Sequence, residues 1–235
     1  MFPSKLPIIS QATSFNNSYS LYFDNTDDHI SLGTIAAFDF GTNAFSISAW
    51  MKTTQTGYSW IFGMNTTNLA IGLHNSGMIA RVFAGGGSAI LADGGTTLND
   101  GEWHHYCVTR DGSSNLKIYI DNTVEKTATS SGSITAGTAM IGSWSNNADR
   151  WLGNVDEVSL WDVELDADAV SAIYGSGSPS FDLTKNNVNY DNSGDLIAYW
   201  RFEEGTGTSS TADSSDGGND GTLNGSPTWS TDVPS

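Results

Sequence analysis

The residues best suited to chemistry lie near the end of the sequence, in an acidic loop that follows an aromatic strand pattern. The strand pattern begins at Tyr199 and includes Arg201, and the loop from Glu203 to Leu223 holds no lysine or arginine. The loop holds five carboxylates and one asparagine: Glu203, Glu204, Asp213, Asp216, Asp220 and Asn219. Crowded anionic oxygens repel one another unless a cation lies among them, and flexible oxygen-rich loops suit Ca²⁺. The loop therefore predicts a hard-cation site, with a solvated acidic turn as the alternative.

The spacing of these carboxylates is not that of an EF-hand, because Asp213 and Asp216 are three residues apart and no glutamate occupies the twelfth position. A second acidic cluster comprises Asp24, Asp27 and Asp28. Its composition is more typical of a turn at the end of a strand than of a metal site.

The composition indicates a folded and strongly acidic protein. The 235 residues are 38% hydrophobic and include 8 Trp, 8 Tyr and 10 Phe, which is enough for a substantial core. Nine basic residues against 26 acidic ones give a net charge of −17. Such a charge repels nucleic acids and anionic membranes, so neither is an expected partner.

The cysteine count, the apolar runs and the N-terminal residues exclude three further classes of protein. A lone cysteine, Cys107, excludes an intramolecular disulfide framework, and its apolar alternating surroundings favour a core position. No run approaches the ~20 apolar residues of a membrane span. The N-terminal residues lack the pattern of a secretory signal peptide, so we expect no export by that route.

Short runs with alternating apolar residues predict β-strands along most of the chain. One face of Phe45–Lys52 carries Phe45, Ile47, Ala49 and Met51. Similar runs are predicted at Ser20–Asp24, Tyr58–Met64, Leu69–Leu73, Met78–Ala84, Trp103–Arg110, Leu116–Ile120, Ala139–Gly142, Asn154–Trp161 and Leu196–Phe202. About a dozen short strands predict an all-β, two-sheet antiparallel sandwich or jelly roll.

The remaining segments give the predicted organisation of the chain. One short helix is predicted after the N-cap Asp166, with Val170 and Ile173 on one stripe and Gly175 at its end. Residues 1–17 are predicted to form an N-terminal arm and residues 18–223 the jelly roll. Residues 175–194 form a long connector, and residues 224–235 form a polar tail.

Several motifs in order resemble one family, the laminin-G-like (LamG) domains of the concanavalin A-like jelly-roll superfamily. The motifs are Ser20–Asp24 followed by Asp27–Ile30, the strand Phe45–Lys52, the stretch Gly101–Gly112 with Leu116–Asp121, and Gly153–Trp161 with its following helix. The resemblance covers about residues 20–223. It implies a concanavalin A-like fold and binding of glycans or proteins, often with calcium.

The order of the segments departs from many LamG domains in one respect. The counterpart of the family's first strand and loop is Tyr199–Leu223, which comes last here. The chain resembles a cyclic permutation, which jelly rolls tolerate because their termini often lie close together. The late placement is similar to that of stand-alone LamG proteins from bacteriophages and marine sources.

The resemblance also implies a structural Ca²⁺ that ties the displaced loop to the strand carrying Asp156. The ligands that it favours are Asp156, Glu203, Asp213 and Asn219, the last with nearby backbone oxygens. Such an ion would be a clasp that closes the jelly roll.

A glycan-binding face is a second candidate site. Residues opposite the apolar faces of the strands are aromatic or basic: Trp50, His74, Arg81, Phe83, His104, Tyr106, Arg110 and Tyr119. Sugars stack on aromatic rings and bond to polar groups, so we predict Trp50, Arg81, Tyr106, Arg110 and Tyr119 as ligand-binding residues. The alternative is a second layer of core, and the rim loops at 85–87 and 144–147 are other contact points.

The sequence therefore predicts a non-enzymatic binding or adhesion protein, with a location on a virion surface, as a capsid decoration or a fibre-associated protein. Expected partners are a glycan or glycoprotein surface and other virion proteins, and homo-oligomerisation is left open. The alternatives are a purely structural protein that stabilises a shell and a polysaccharide-active enzyme. The enzyme is disfavoured because no E-x-D-x-x-E strand occurs and the alternating Asp156 and Glu157 would point to opposite faces.

Overall fold

The computed structural model describes residues 15–65, 68–74, 80–92, 95–144, 148–207 and 209–235. These residues form two antiparallel sheets packed as a sandwich, with one α-helix, so the predicted fold class is confirmed. The strands are β1 (Ser20–Asp24), β2 (His29–Thr34), β3 (Phe45–Lys52), β4 (Ser59–Met64), β5 (Leu69–Leu73), β6 (Ala80–Ala84), β7 (Ile90–Ala92), β8 (Trp103–Arg110), β9 (Asn115–Ile120), β10 (Thr123–Thr129), β11 (Thr138–Ile141), β12 (Leu152–Trp161), β13 (Leu196–Trp200), β14 (Ser210–Thr211), β15 (Gly221–Asn224) and β16 (Thr228–Ser230).

The first sheet has the strand order β10-β9-β8-β3-β12-β1-β16, with β13 also paired to β12. The second sheet has the order β14-β15-β2-β11-β4-β5-β6-β7. The inner faces of both sheets form the main core, because alternate apolar residues such as Ile47 on β3 and Val108 on β8 lie opposite each other and are fully buried.

A second apolar cluster covers the outer face of the first sheet. The helix α1 (Ala167–Tyr174) and the connector after it pack here, and the cluster includes Cys107, Tyr119, Trp161, Val170, Ile173, Leu183, Tyr190 and Tyr199. Both helix caps are confirmed: Asp166 accepts a hydrogen bond from the Ala169 amide, and Gly175 adopts a left-handed conformation. No helix in the described ranges is long and apolar enough to cross a membrane.

The late segment of the chain completes both sheets. Trp200 on β13 lies opposite Val158 on β12, and β15 pairs with β2. The predicted polar tail is wrong, because β16 lies within residues 224–235 and extends the first sheet beside β1. Of the predicted N-terminal arm, residues 1–14 lie outside the described residues. Asn17 packs on the sandwich, where its amide donates to Asp156.

Candidate functional site

The predicted glycan face is divided by the fold, and four of its five residues are buried. Trp50 and Tyr119 lie on the outer face of the first sheet, where they are 2% and 3% exposed. Trp50 stacks on Tyr174 of α1 with ring centroids 5.8 Å apart. Helix and connector cover this face, so it cannot receive a sugar, and the prediction is corrected for both residues.

Tyr106 and Arg110 lie on the other side of the first sheet. Tyr106 pairs with inward-facing Ala49 and donates a hydrogen bond from its hydroxyl to the Arg81 carbonyl oxygen at 3.0 Å. Arg110 is fully buried, and its guanidinium donates to the carbonyl oxygens of residues 41, 43 and 132. These two residues join the sheets and connect loops, which excludes them from a binding surface.

Arg81, the fifth predicted residue, belongs to a different surface on the outer face of the second sheet. We call this surface the aromatic–arginine patch, and it consists of Tyr58, Trp60, His74, Arg81, Phe83, Trp144 and Asp149. The strand β6 places Arg81 and Phe83 outward because Ala80, Val82 and Ala84 face the main core.

A bulge in β4 turns Trp60 towards the patch. The register of β4 against β5 shifts between Trp60 and Phe62, so Ile61 and Phe62 both belong to the main core while Trp60 faces outward. The Trp60 and Trp144 rings meet edge to face at 4.1 Å. Alternation alone could not assign Trp60 to this face, and the sequence analysis missed it together with Tyr58.

Gly72 forms the floor between Trp60 and Arg81. It lies opposite Trp60 on β4 and opposite Arg81 on β6. A Cβ atom at this position would lie 2.1 Å from the Ser59 carbonyl oxygen and 2.9 Å from the Trp60 ring. A glycine inside a strand often marks such a close approach, and this signal adds to the prediction of His74, Arg81 and Phe83 as residues of an aromatic and basic face.

The Arg81 guanidinium is surrounded by aromatic rings. Its Cζ atom lies 4.6 Å from the Tyr58 ring centroid, 4.9 Å from that of Trp60 and 4.7 Å from that of Phe83. Burial lowers the pKa of Arg81, although Tyr58 and Asp149 oppose the shift. The indole nitrogen of Trp60 donates to Asp149, whereas that of Trp144 and the Nε of Arg81 have no hydrogen-bond partner among the residues that the structure describes.

The predicted calcium ligands are separated into two groups. Asp213 organises its own loop: its carboxylate accepts from the amides of Tyr199, Ser215 and Asn219. The Asn219 side chain donates to the Ile197 carbonyl oxygen and to Asp213. These hydrogen bonds fasten the acidic loop to β13 and use the lone pairs that an ion would need.

Asp156 and Glu203 form the other group, beside the N-terminal segment. Asp156 accepts from Asn17 at 3.0 Å, and Glu203 accepts from the backbone amides of Ser18 and Tyr19. Burial, followed by the neighbouring charge of Glu157, raises the pKa of Asp156 well above its ordinary value. In the described ranges, carboxylates converge to within 4.8 Å in a group of three only at Asp24, Asp27 and Asp28. Asp156, Glu203 and Asp213 do not form such a group, and the calcium site stays a prediction.

The prediction that Asp156 and Glu157 point to opposite faces is also wrong. A bulge between Asp156 and Ser159 places both carboxylates on the outer side, because Val155 and Val158 face the main core. Glu157, at φ 50°, lines a cavity of about 10 Å³ with Trp50 and Leu183. That volume suits one water molecule, so the cavity beside Glu157 is too small for a sugar.

A laminin G family model, described as the concanavalin A-like lectin/glucanases superfamily, matches residues 24–171, which is more than half of the chain. The chain belongs to this superfamily. No protein of curated function matches the chain significantly.

Two solved structures show how this concanavalin A-like domain relates to known folds. A candidate carbohydrate-binding protein from Bacteroides ovatus superposes with a TM-score of 0.70 at 15% identity, over 94% of this chain. The match spans 62% of that protein's own length. A heptameric SAP-like pentraxin from Limulus polyphemus superposes with a TM-score of 0.54 at 17% identity, over 67% of this chain and 82% of its own. These likenesses establish a shared fold.

The role of Asp213 in this domain can be separated from the calcium prediction by melting experiments. We expect Asp213→Ala to destabilise the protein by about 2 kcal/mol, because several loop amides lose their acceptor. Asp216→Ala, at an exposed position of the same loop, serves as the matched control. If hydrogen bonds to Asp213 alone hold the loop, the stability of both variants relative to wild type does not change when Ca²⁺ or EDTA is added. A melting temperature that falls in EDTA would instead support the calcium prediction, which stays untested.

Proposed function

We propose that this chain is a non-enzymatic carbohydrate-binding module that binds its ligand at the aromatic–arginine patch. The observation that carries the proposal is a half-buried arginine beside the exposed Tyr58 and clustered aromatic rings, on a sheet face that no α-helix of the described ranges covers. The equivalent face of the first sheet is closed by α1 and the connector. The patch therefore takes the place of the glycan face predicted from the sequence.

The chemistry of the patch suits a sugar ring. Tyr58 is 38% exposed and can pack against the C–H face of a pyranose. Arg81, Asp149 and the His74 ring supply donors and acceptors for hydroxyl groups around it. Packing between Trp60, Phe83 and Trp144 holds these groups in place, so little side-chain freedom is lost when a ligand binds.

Membership of the concanavalin A-like superfamily supports a binding role, and so does the likeness to a candidate carbohydrate-binding protein. A purely structural, shell-stabilising protein is the second candidate. The burial of Trp50, Tyr106 and Tyr119 favours it, because these side chains serve packing alone. A location on a virion surface is compatible with both candidate functions, and we include it in the proposal.

We expect Tyr58→Ala to weaken glycan binding about tenfold, because a stacked aromatic contact contributes on the order of 1 kcal/mol. Binding is measured first on a glycan array and then by titration calorimetry with the best array ligand. Tyr22→Ala is the matched control, since Tyr22 is 36% exposed but lies on β1 of the other sheet.

The two candidate functions give different results in this experiment. If the array shows no ligand for the wild-type protein, the structural function is favoured. If a ligand binds but Tyr58→Ala and Tyr22→Ala affect it equally, binding is real and the patch is the wrong site.

A further inference from the structure

Arg81 differs from the other cationic side chains that the structure describes. Six other described lysines and arginines have hydrogen-bond or ion-pair partners: Lys52, Arg110, Lys117, Arg150, Lys185 and Arg201. Lys126 also interacts with a partner. Arg81 has neither within the described ranges, although acidic residues outnumber basic ones by 26 to nine in the whole sequence. A cation without an anionic partner is unexpected in so acidic a protein.

The surroundings of Arg81 increase its need for an anion. Three aromatic rings lie within 4.6–4.9 Å of its Cζ atom and remove water from the guanidinium. The negative faces of the rings compensate for part of this loss, but a cation–π contact is weaker than a charge-assisted hydrogen bond. In a partly dehydrated site, the attraction between the guanidinium and an incoming anion is stronger than in water.

Asp149 is the charged group nearest to this arrangement, and it limits the kind of ligand. Its carboxylate raises the pKa of Arg81 through space, yet it makes no ion pair with Arg81 and accepts from Trp60 instead. Asp149 and the net charge of −17 together repel a densely charged polyanion. A ligand with one isolated anionic group meets the guanidinium while the long-range repulsion is screened over about 8 Å at physiological salt.

We infer that the ligand of the patch is a glycan bearing a single anionic group, such as one carboxylated sugar residue, which Arg81 binds through its guanidinium. The inference rests on the proposed carbohydrate-binding function. The planar guanidinium matches a carboxylate with two parallel N–H···O bonds, while Tyr58 packs against the sugar ring.

The test uses matched sets of three oligosaccharides that differ only in their cap. Each set has the same neutral chain, capped by a uronic acid, by the methyl ester of that uronic acid, or by a monosulfated sugar. Binding to the wild-type protein, Arg81→Gln and Arg81→Lys is measured by calorimetry at low and high salt. Lys185→Gln is the control for net charge, because Lys185 is exposed on the connector over the other sheet. Thermal melting confirms that each variant is folded.

The expected result is that wild-type protein binds the carboxylated oligosaccharide at least tenfold more tightly than its methyl ester. Arg81→Gln removes this preference, Arg81→Lys keeps part of it, and Lys185→Gln leaves it unchanged. If the protein instead prefers the sulfated cap, and this preference also depends on Arg81, the ligand is still an anionic glycan but its anionic group is a sulfate.

Failure of the inference and failure of the proposed function look different. Equal binding of the acid and its ester, or a preference that survives Arg81→Gln, overturns the inference while glycan binding stands. If wild-type protein binds none of these oligosaccharides and none of the wider array, both the inference and the proposed function are wrong.

Discussion

Replacing Arg110 with methionine is expected to destabilise the protein by about 3–5 kcal/mol. The side chain is fully buried, and its guanidinium donates to the carbonyl oxygens of Asn43, Gly132 and Gly41 at 2.7–3.1 Å. Methionine fills much of the volume beside Phe45 but leaves these acceptors without donors in a site that water cannot readily enter.

Urea denaturation measures this loss of stability. Arg150→Met is the matched control, because within the described ranges the Arg150 guanidinium donates a single hydrogen bond, to the Thr26 carbonyl oxygen, at an exposed position. We expect the control to change the free energy of unfolding by less than about 0.5 kcal/mol. A loss below about 1 kcal/mol for Arg110→Met would contradict the structural role assigned to Arg110.

The different environments of Arg110 and Arg81 in the structure show which features the sequence could predict and which it could not. Both follow alternating strand patterns, and the strands themselves were placed well: β3 and β8 have the predicted bounds. Alternation divides a strand into two faces, but it does not say what packs on each face. The guanidinium of Arg110 is fully buried against the loop carbonyls of residues 41, 43 and 132, whereas Arg81 is only half-buried among aromatic rings. That difference depends on contacts between residues far apart in sequence.

The acidic loop shows a similar limit. The family resemblance predicted that this segment closes the jelly roll, and the loop does return to β13 while its strand β15 pairs with β2. The number of carboxylates could not show whether cations or amide groups satisfy them. In the structure Asp213 accepts from three backbone amides of its own neighbourhood, which only the folded path of the loop brings together.

The bulge at Glu157 broke the alternation that the sequence analysis relied on, and it has a measurable consequence. The bulge brings Glu157 to the buried side of the connector, where Tyr199 donates a hydrogen bond to its carboxylate and Arg201 lies 3.4 Å away. Burial raises the pKa of Glu157 to about 7, even though Arg201 and Tyr199 both favour the ionised form. The folded protein therefore holds a proton at pH values where the unfolded chain has lost it.

Glu157→Gln is accordingly expected to stabilise the protein at pH 8. A carboxyl whose pKa is raised on folding contributes stability below its ordinary pKa of 4.5, and that contribution is lost as the pH rises through about 7. Glutamine is a neutral isostere that still accepts from Tyr199, so it avoids a loss on the order of 3 kcal/mol. The two proteins should have similar stability at pH 4.5, and the variant should gain progressively up to pH 8.

Urea denaturation of both proteins across this pH range tests the expectation, with Glu102→Gln as a control at an exposed glutamate. The control should follow the wild-type curve at every pH, since the Glu102 side chain is exposed to water in the folded protein. If Glu157→Gln is instead less stable than wild type at pH 8, the ion pair with Arg201 outweighs the burial of the charge. The carboxylate would then be a stabilising part of the second core, and the raised pKa would be refuted.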